Sequence, residues 1–559
     1  MDSVPNTPPG QLRRMAAVWE QVLKKGGIGP EDSFFTLGGQ SVMAGTLVRA
    51  AGERFGVRIP IRTLFEHSRL GEFTDHVVGL ALPAAPPTAP TSDTVPPDVP
   101  RNVPPDVPRN VLPDVPLEMT AFQRRIWLAE QIDPSVRNHV PLAWSVAGRL
   151  DPDRLCGALG RLVAEHEILR TRFVDEDGGW SVWLREPWLP PLELLYLGEA
   201  PDGTPGDTSD DAPDDTPDDT TDTPAVVTEW LEAALRLPFD LESGQLLRAA
   251  LGEFADGRQV LLLCVHHMVI DGESIPVLLA ELDRYCATPD RPRPVVQYRE
   301  FAAHQREQRD GASWHTDLAY WESALDGASA DTPLPAPDRP EPNGAFRLPL
   351  PAGLLDALRA VQSEHGVSWF MVAATALAVS LHRSTGLDDV TFGSPTANRN
   401  HPRFAELFGP SLNTAVLRSR VTADSTVLDV LLRMRGEALG ALEHQAVEFD
   451  DVLNHVKPAR RFGYTPYVNV TLNMNLLDDH AAVLDGARLT PLLIDELRSG
   501  YAKFGLTVTM VQLDGRLIGL VSHRGDQLGA EGARDLADRL TGLLTRFPET
   551  LDEPVLLRH

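Results

Sequence analysis

Residues 259–272 read QVLLLCVHHMVIDG. The run from Gln259 to Val265 is almost wholly apolar, which is how a strand buried on both faces reads. It ends in two adjacent histidines, and three residues later comes Asp-Gly, a turn former. Side chains alternate along a strand, so the spacing predicts that His266 and His267 point to opposite faces. Neighbours that face apart cannot easily share one ion, and no Cys or further His lies close enough to complete a chelate, so no metal is expected. Two readings stay open from the residues alone. Each imidazole could be a hydrogen-bonded core group, or the pair could present a functional group at the strand end.

Around this stretch, helical and strand-like patterns alternate from about residue 117 to residue 559. Helices are expected at 153–166, 226–235, 354–365, 369–383 and 533–545, and strands at 259–265, 390–393, 467–474, 507–513 and 517–523. Such alternation indicates an α/β unit with substantial sheet. Single cores rarely grow past roughly 250–300 residues, so two subdomains are expected, about 117–290 and 291–559. Inside the first, residues 201–224 hold nine Asp and no Lys or Arg, which reads as a disordered surface insertion. Ahead of the large unit, VPPDVPRN occurs at 95–102 and again at 103–110, then decays to VLPDVP. Proline at that density removes donors and fixes φ, so residues 84–116 are expected to be a semi-rigid linker. Residues 1–83 read as a small helical bundle. Leu12, Met15, Trp19 and Val22 share one helix face, Gly26 and Gly27 stop that helix, and a second helix should begin at Ser41.

Composition narrows the function classes. The chain has 559 residues and a net charge of −28, so phosphate backbones and anionic membrane surfaces are poor partners. Three widely spaced cysteines cannot make a disulfide framework and suggest a reducing compartment. The first ten residues have neither the basic nor the apolar region of a secretory signal. The longest apolar run, 369–381, is short of the roughly 20 residues a membrane span needs. A soluble, cytoplasmic protein is expected. Lysine occurs only at 24, 25, 457 and 503, an Arg bias that suggests a GC-rich genome.

The second candidate site is DSFFTLGGQS, residues 32–41. Two glycines permit a tight exposed turn, and Ser41 follows at a helix start, where free N–H groups would welcome a phosphate ester. Ser41 could equally be a simple N-cap. The string resembles the attachment motif of peptidyl carrier proteins, the thiolation domains of nonribosomal peptide synthetases, and the match covers nearly the whole small unit. That resemblance implies a 4′-phosphopantetheine arm on Ser41, installed by a phosphopantetheinyl transferase. Gln40 is a mild departure from the His or Asp often found there.

The HHMVIDG string in turn resembles the signature of condensation domains, which share the chloramphenicol-acetyltransferase-like fold. Four further strings fit the same family in order: TAFQRRIWL at 120–128, EHEILRTRF at 165–173, FGPSLNT at 408–414 and HQAVEF at 444–449. The resemblance implies a multidomain chain: a four-helix carrier followed by an α/β condensation domain of two subdomains. It implies a site built from His266, His267, Asp271 and Gly272, with His267 meeting the attacking amine and His266 packing into the core. Asp271 is expected to pair with an arginine, Arg399 or its rival Arg172, and Gly272 to let the backbone approach the reaction centre. Glu273 and Gly505 depart from the family pattern, where Trp and Asp are common.

The implied reaction is attack of an acceptor aminoacyl-carrier's amine on a donor thioester, in a tunnel between the subdomains. Expected partners are upstream synthetase modules, a downstream acceptor carrier and an adenylation domain, as though the chain were a didomain of a larger bacterial synthetase making a siderophore or peptide antibiotic. The alternatives are an epimerisation domain of the same fold, whose Glu-Gly-His-type string is absent, and a non-catalytic recruitment platform.

Overall fold

The computed structural model describes residues 9–39, 41–57, 59–81, 117–132, 138–176, 179–199, 225–288, 295–399, 401–422, 424–459, 464–477, 481–492, 502–513 and 515–555. The expected linker at 84–116 and the acidic insertion at 201–224 therefore lie outside the described residues. Two compact units make up the chain, Met1–Val115 with Gln362–Ser368, and Pro116–Val361 with Trp369–His559.

The small unit has four helices: α1 (Pro9–Leu23), α2 (Ser41–Phe55), α3 (Ile61–Glu66) and α4 (Leu70–Ala81). From α1, Met15, Val18, Trp19 and Leu23 are buried, whereas Leu12 and Val22 are only half-buried. The core stripe is thus turned slightly from the face the sequence suggests. Trp19 meets the Phe34 ring edge-on at 5.8 Å and Phe73 at 6.1 Å. The first helix stops before the glycines, because Lys24 takes a left-handed φ of 52° and the Glu20 carboxylate accepts from the N–H groups of Gly27 and Ile28.

In the large unit, α5 (Ala121–Ile132) precedes β1 (His139–Ala147), α6 (Pro152–Glu165), the hairpin β2 (Thr171–Glu176) and β3 (Gly179–Leu184), and β4 (Leu192–Tyr196). Next come α7 (Ala225–Arg236), β5 (Leu247–Glu253), β6 (Gln259–His266), α8 (Ser274–Ala287), α9 (Tyr298–Arg309) and α10 (Ala312–Leu325). The chain continues through β7 (Gly344–Leu348), α11 (Leu354–His365), α12 (Trp369–Thr385), β8 (Asp389–Thr396), β9 (Asn413–Arg420), α13 (Val427–Glu443) and α14 (Phe449–Val456). It closes with β10 (Val470–Leu476), β11 (Ala482–Leu484), β12 (Ala487–Pro491), β13 (Leu506–Leu513), β14 (Arg516–His523) and α15 (Ala530–Thr545).

Two mixed sheets carry this unit. The first has strand order β11-β12-β1-β6-β5-β4 and the second β7-β14-β13-β10-β8-β9. All eight residues of β6 are buried, because both faces of its sheet are covered. Leu261, Leu263 and Val265 join the core shared with α6 and α8, while Val260, Leu262 and Cys264 join the core under α7. In the second sheet β10 runs parallel to β8 and β13. The long apolar stretch of the sequence is α12, buried at Trp369 and from Met371 to His382. Among the described residues no single helix is long and apolar enough to cross a membrane.

The expected division at about residue 290 needs one correction. β11 and β12, deep in the C-terminal half, pair with the first sheet, Trp144 opposite Pro491 and Ala147 opposite Arg488. A segment of the second subdomain is therefore structurally part of the first.

Candidate active site

β6 delivers both histidines, and the turn after it separates them. The strand ends at His266, one residue before His267, so strand alternation does not govern the second imidazole. The His267 N–H donates to the Asn138 carbonyl at 2.7 Å, and the Val269 N–H closes a tight turn onto the His266 carbonyl at 3.0 Å. Gln123 of α5 holds the turn from outside, its Nε2 donating to the Met268 carbonyl at 2.9 Å.

His266 is buried beside Phe239. The Met268 N–H donates to its Nδ1 at 3.2 Å, so the proton sits on Nε2, which donates to Glu130 Oε1 at 3.0 Å. Asn138 Nδ2 donates to the same oxygen at 2.7 Å. Burial alone would raise the Glu130 pKa, but these donors hold it below the usual carboxylate range.

His267 is turned the other way. Its Nδ1–H donates to the Ile270 carbonyl at 2.7 Å, which leaves the Nε2 lone pair as the free end of the ring. Phe122 of α5 packs against the ring at 5.1 Å. Desolvation, and after it the Lys503 ammonium, push the His267 pKa down to about 4 against the opposing pull of the Ile270 carbonyl and Asp271. Lys503 donates from Nζ to Asn138 Oδ1. Surrounding protein pushes its pKa down to about 8 by desolvation, with Glu130 opposing and Arg125 adding to the shift. Yet Lys503 is solvent-exposed and His267 only half-buried. Both side chains are therefore reachable from solvent.

Asp271 is wholly buried and braces the turn. Its Oδ1 accepts from the Ser274 N–H at 2.9 Å and from Arg399 Nη2 at 3.1 Å, and its Oδ2 accepts from the Ser411 N–H at 2.7 Å. Arg399 further donates to Ser411 Oγ and to the Leu407 carbonyl. The rival Arg172 lies on β2 and donates instead from Nε to the Glu242 carbonyl at 2.6 Å, so it does not meet Asp271. A side-chain carbon added at Gly272 would meet nothing within 4 Å; open space lies in front of it. Among the described residues no group of three or more His, Cys, Asp or Glu is placed to hold a metal ion.

In the small unit, Ser41 is the first residue of α2, whose first turn carries no acidic residue; its side chain lies outside the described residues. The preceding loop is pinned by Phe34, fully buried, and both glycines are needed there. Gly38 has a φ of +91°, and a side-chain carbon on Gly39 would sit 2.5 Å from the Phe34 carbonyl oxygen. Lys25 Nζ donates to the Leu37 carbonyl at 2.6 Å, tying the loop to the end of α1.

Residues 116–555 match the condensation domain family, and residues 13–77 match the phosphopantetheine attachment site family. The chain belongs to the condensation-domain family. Over 99 % of its length it is 30 % identical to a linear gramicidin synthase of Brevibacillus parabrevis, spanning 7 % of that protein. It is 30 % identical to malpinin synthetase of the fungus Mortierella alpina over 92 % of the chain and 6 % of that synthetase. In fold, it is similar to the condensation domain of the monacolin K polyketide synthase, with TM-score 0.67, 16 % identity and coverage of 80 % of this chain and 100 % of that one. The X-domain from teicoplanin biosynthesis gives TM-score 0.64 at 22 % identity, over 79 % of this chain and 97 % of that chain. The phosphopantetheine attachment family implies a covalently attached 4′-phosphopantetheine on the small unit.

Within the condensation domain, the ordered strings converge through hydrogen bonds. Asn413 Nδ2 donates to the carbonyls of Gln445 and Val447, and its Oδ1 accepts from the Phe449 N–H, joining the fourth string to the fifth. Thr120 Oγ1 lies 2.9 Å from the Tyr298 hydroxyl, which donates to the Pro410 carbonyl, joining the first string to the fourth. Sequence reasoning missed Glu130, Asn138, Ser274, Ser411 and Lys503. For Lys503 a signal existed: it is one of four lysines in an Arg-biased chain. Ser411 lay inside the fourth string without being singled out; for Glu130, Asn138 and Ser274 there was no signal, since polar residues outside a signature look alike until the fold pairs them.

Proposed function

We propose that residues 116–555 form a peptide bond between two carrier-bound substrates, and that the small unit presents the donor from Ser41. The observation that carries this reading is the fixed tautomer of His267. With Nδ1–H committed to the Ile270 carbonyl, Nε2 keeps a lone pair to offer an incoming amine.

The fifteen-residue helix α2 starts at Ser41 without a first-turn carboxylate, so its free N–H groups suit a phosphodiester. When bound, the phosphopantetheine arm supplies a thiol that holds the acyl group as a thioester. The chain's own residues then have two tasks. The residues around the turn, Phe122, His267 and Lys503, align the partners, a task that in general is worth several kcal/mol. His267 Nε2 accepts a proton from the acceptor amine as the new C–N bond forms. The C–S bond to the arm would break as the amide forms, and His267 would return that proton to the departing thiolate. A positioned base of this kind contributes roughly 10²–10⁴-fold. Since the imidazole is neutral above a pH of about 4, it stands ready as an acceptor across the neutral range. Asp271 and Arg399 act by fixing the turn, and His266 by locking β6 to Glu130.

Three free cysteines, Cys156, Cys264 and Cys286, support a reducing compartment, and the cytoplasm is the proposed location. The proposed partners are a phosphopantetheinyl transferase, an acceptor carrier and further synthetase modules, with a peptide natural product as the outcome.

The test uses the full chain, loaded by a phosphopantetheinyl transferase, with a separately loaded acceptor carrier, read by intact-protein mass spectrometry. The expected result is arm attachment that Ser41→Ala abolishes, then transfer of the donor acyl group to the acceptor with a new amide. An inverted α-carbon without transfer would instead indicate epimerisation, and unchanged substrates a recruitment platform; either overturns the proposal.

A further inference from the structure

The geometry points to Lys503 as a positioning residue of the condensation site: a cation tied through Asn138 to the His267 turn that disfavours additional positive charge, on the imidazole or on the incoming amine. The inference rests on the condensation reading of the site and adds to it the control of protonation. Three observations carry it. Lys503 Nζ is held in place by Asn138 Oδ1, and the same Asn138 accepts the His267 N–H through its carbonyl. The lysine head therefore has a fixed relation to the catalytic turn. Lys503 is also solvent-exposed, so its charge is open to an incoming substrate. Finally, the neighbouring carboxylate Glu130 is already engaged by His266 and Asn138, so it does not cancel that charge by direct pairing.

The chemistry gives this charge a use. An amine attacks a thioester only through its lone pair, so an acceptor that enters as ammonium must first lose a proton. A fixed cation disfavours a second cation nearby. It therefore favours the neutral amine and the neutral His267 together. The charged and titratable groups around His267 are consistent with this. On its own turn are His266 and Asp271, the latter neutralised by Arg399. From α5 come Glu130 and Arg125, the latter 3.7 Å from Asp450 of α14. From the segment before β13 comes Lys503 itself. The lysine loses its own charge near pH 8, where a free amine no longer needs the help.

The experiment is a pH series of single-turnover condensation with loaded carriers, comparing the wild-type chain with Lys503→Met and Lys503→Arg. The acidic limb should move to higher pH in Lys503→Met, lowering the rate at pH 6 by about threefold or more relative to the rate at pH 9. Lys503→Arg, which keeps the charge, should leave the limb in place. Should Lys503→Met fail to fold, Lys503→Gln retains a donor for Asn138 without the charge. A limb that stays put in the neutral variants, or one that moves equally in Lys503→Arg, overturns the inference. In parallel, NMR titration of the His267 imidazole in the labelled full chain should show its midpoint rising in Lys503→Met. That measurement needs no peptide product, so it separates failure of this inference from failure of the condensation reading.

Discussion

The Asp271 carboxylate, with no solvent exposure of its side chain, is held by two backbone N–H groups, two hydroxyls and one guanidinium. Such a charge is tolerable only while its partners remain. Removing the arginine leaves it buried and uncompensated, which typically costs about 3–5 kcal/mol. Arg399→Leu is therefore expected to lower stability by about that amount in urea denaturation of the full chain; a loss below about 1 kcal/mol, the scale of an exposed pair, would show that the carboxylate finds other compensation. His266 illustrates the same logic in neutral form, with both ring nitrogens engaged by Met268 and Glu130. At this scale the sequence was informative only in part. The string HHMVIDG marked the residues, but a choice between Arg399 and Arg172 depends on where β8 and β2 lie, which no local pattern records. Glu130 and Asn138 carry no signature at all, because their role arises from α5 and β1 meeting at the end of β6.

At the scale of elements, β6 was legible because burial on both faces leaves an unbroken apolar run. What followed it was not, since the turn, and not strand alternation, orients His267. That turn also explains Gly272. It sits between β6 and α8 with open space in front of it, so packing does not require its small size. Gly272→Ala should leave the melting temperature of the chain undiminished, because no protein atom opposes the methyl group, while slowing peptide formation in the two-carrier assay. A lowered melting temperature with unchanged turnover would contradict that account. β11 and β12 were missed for a different reason. They are three and five residues long, too short for a period to show, and their sheet partner β1 lies far back in the chain.

At the scale of the whole molecule, the division into a carrier and a condensation domain followed from a composition break at the proline-rich segment and from five strings in order. The subdomain boundary did not, because β12 crosses back to pair with β1, while Arg399 reaches Asp271 from the other side. These two ties predict that residues 116–555 unfold as one cooperative unit in calorimetry of the full chain, both sheets losing hydrogen-exchange protection together. Separate transitions for the two sheets would show that the ties are weak. The proposed function depends on the same architecture, since Lys503 and Asn138, from opposite ends of the domain, meet beside the His267 turn. The most direct check is rapid-quench single-turnover condensation on loaded carriers, comparing the wild-type chain with His267→Ala. The account predicts that the variant still accepts the arm and the donor acyl group, yet forms new amide at least about 10²-fold more slowly. Equal rates of amide formation in the two proteins would contradict it.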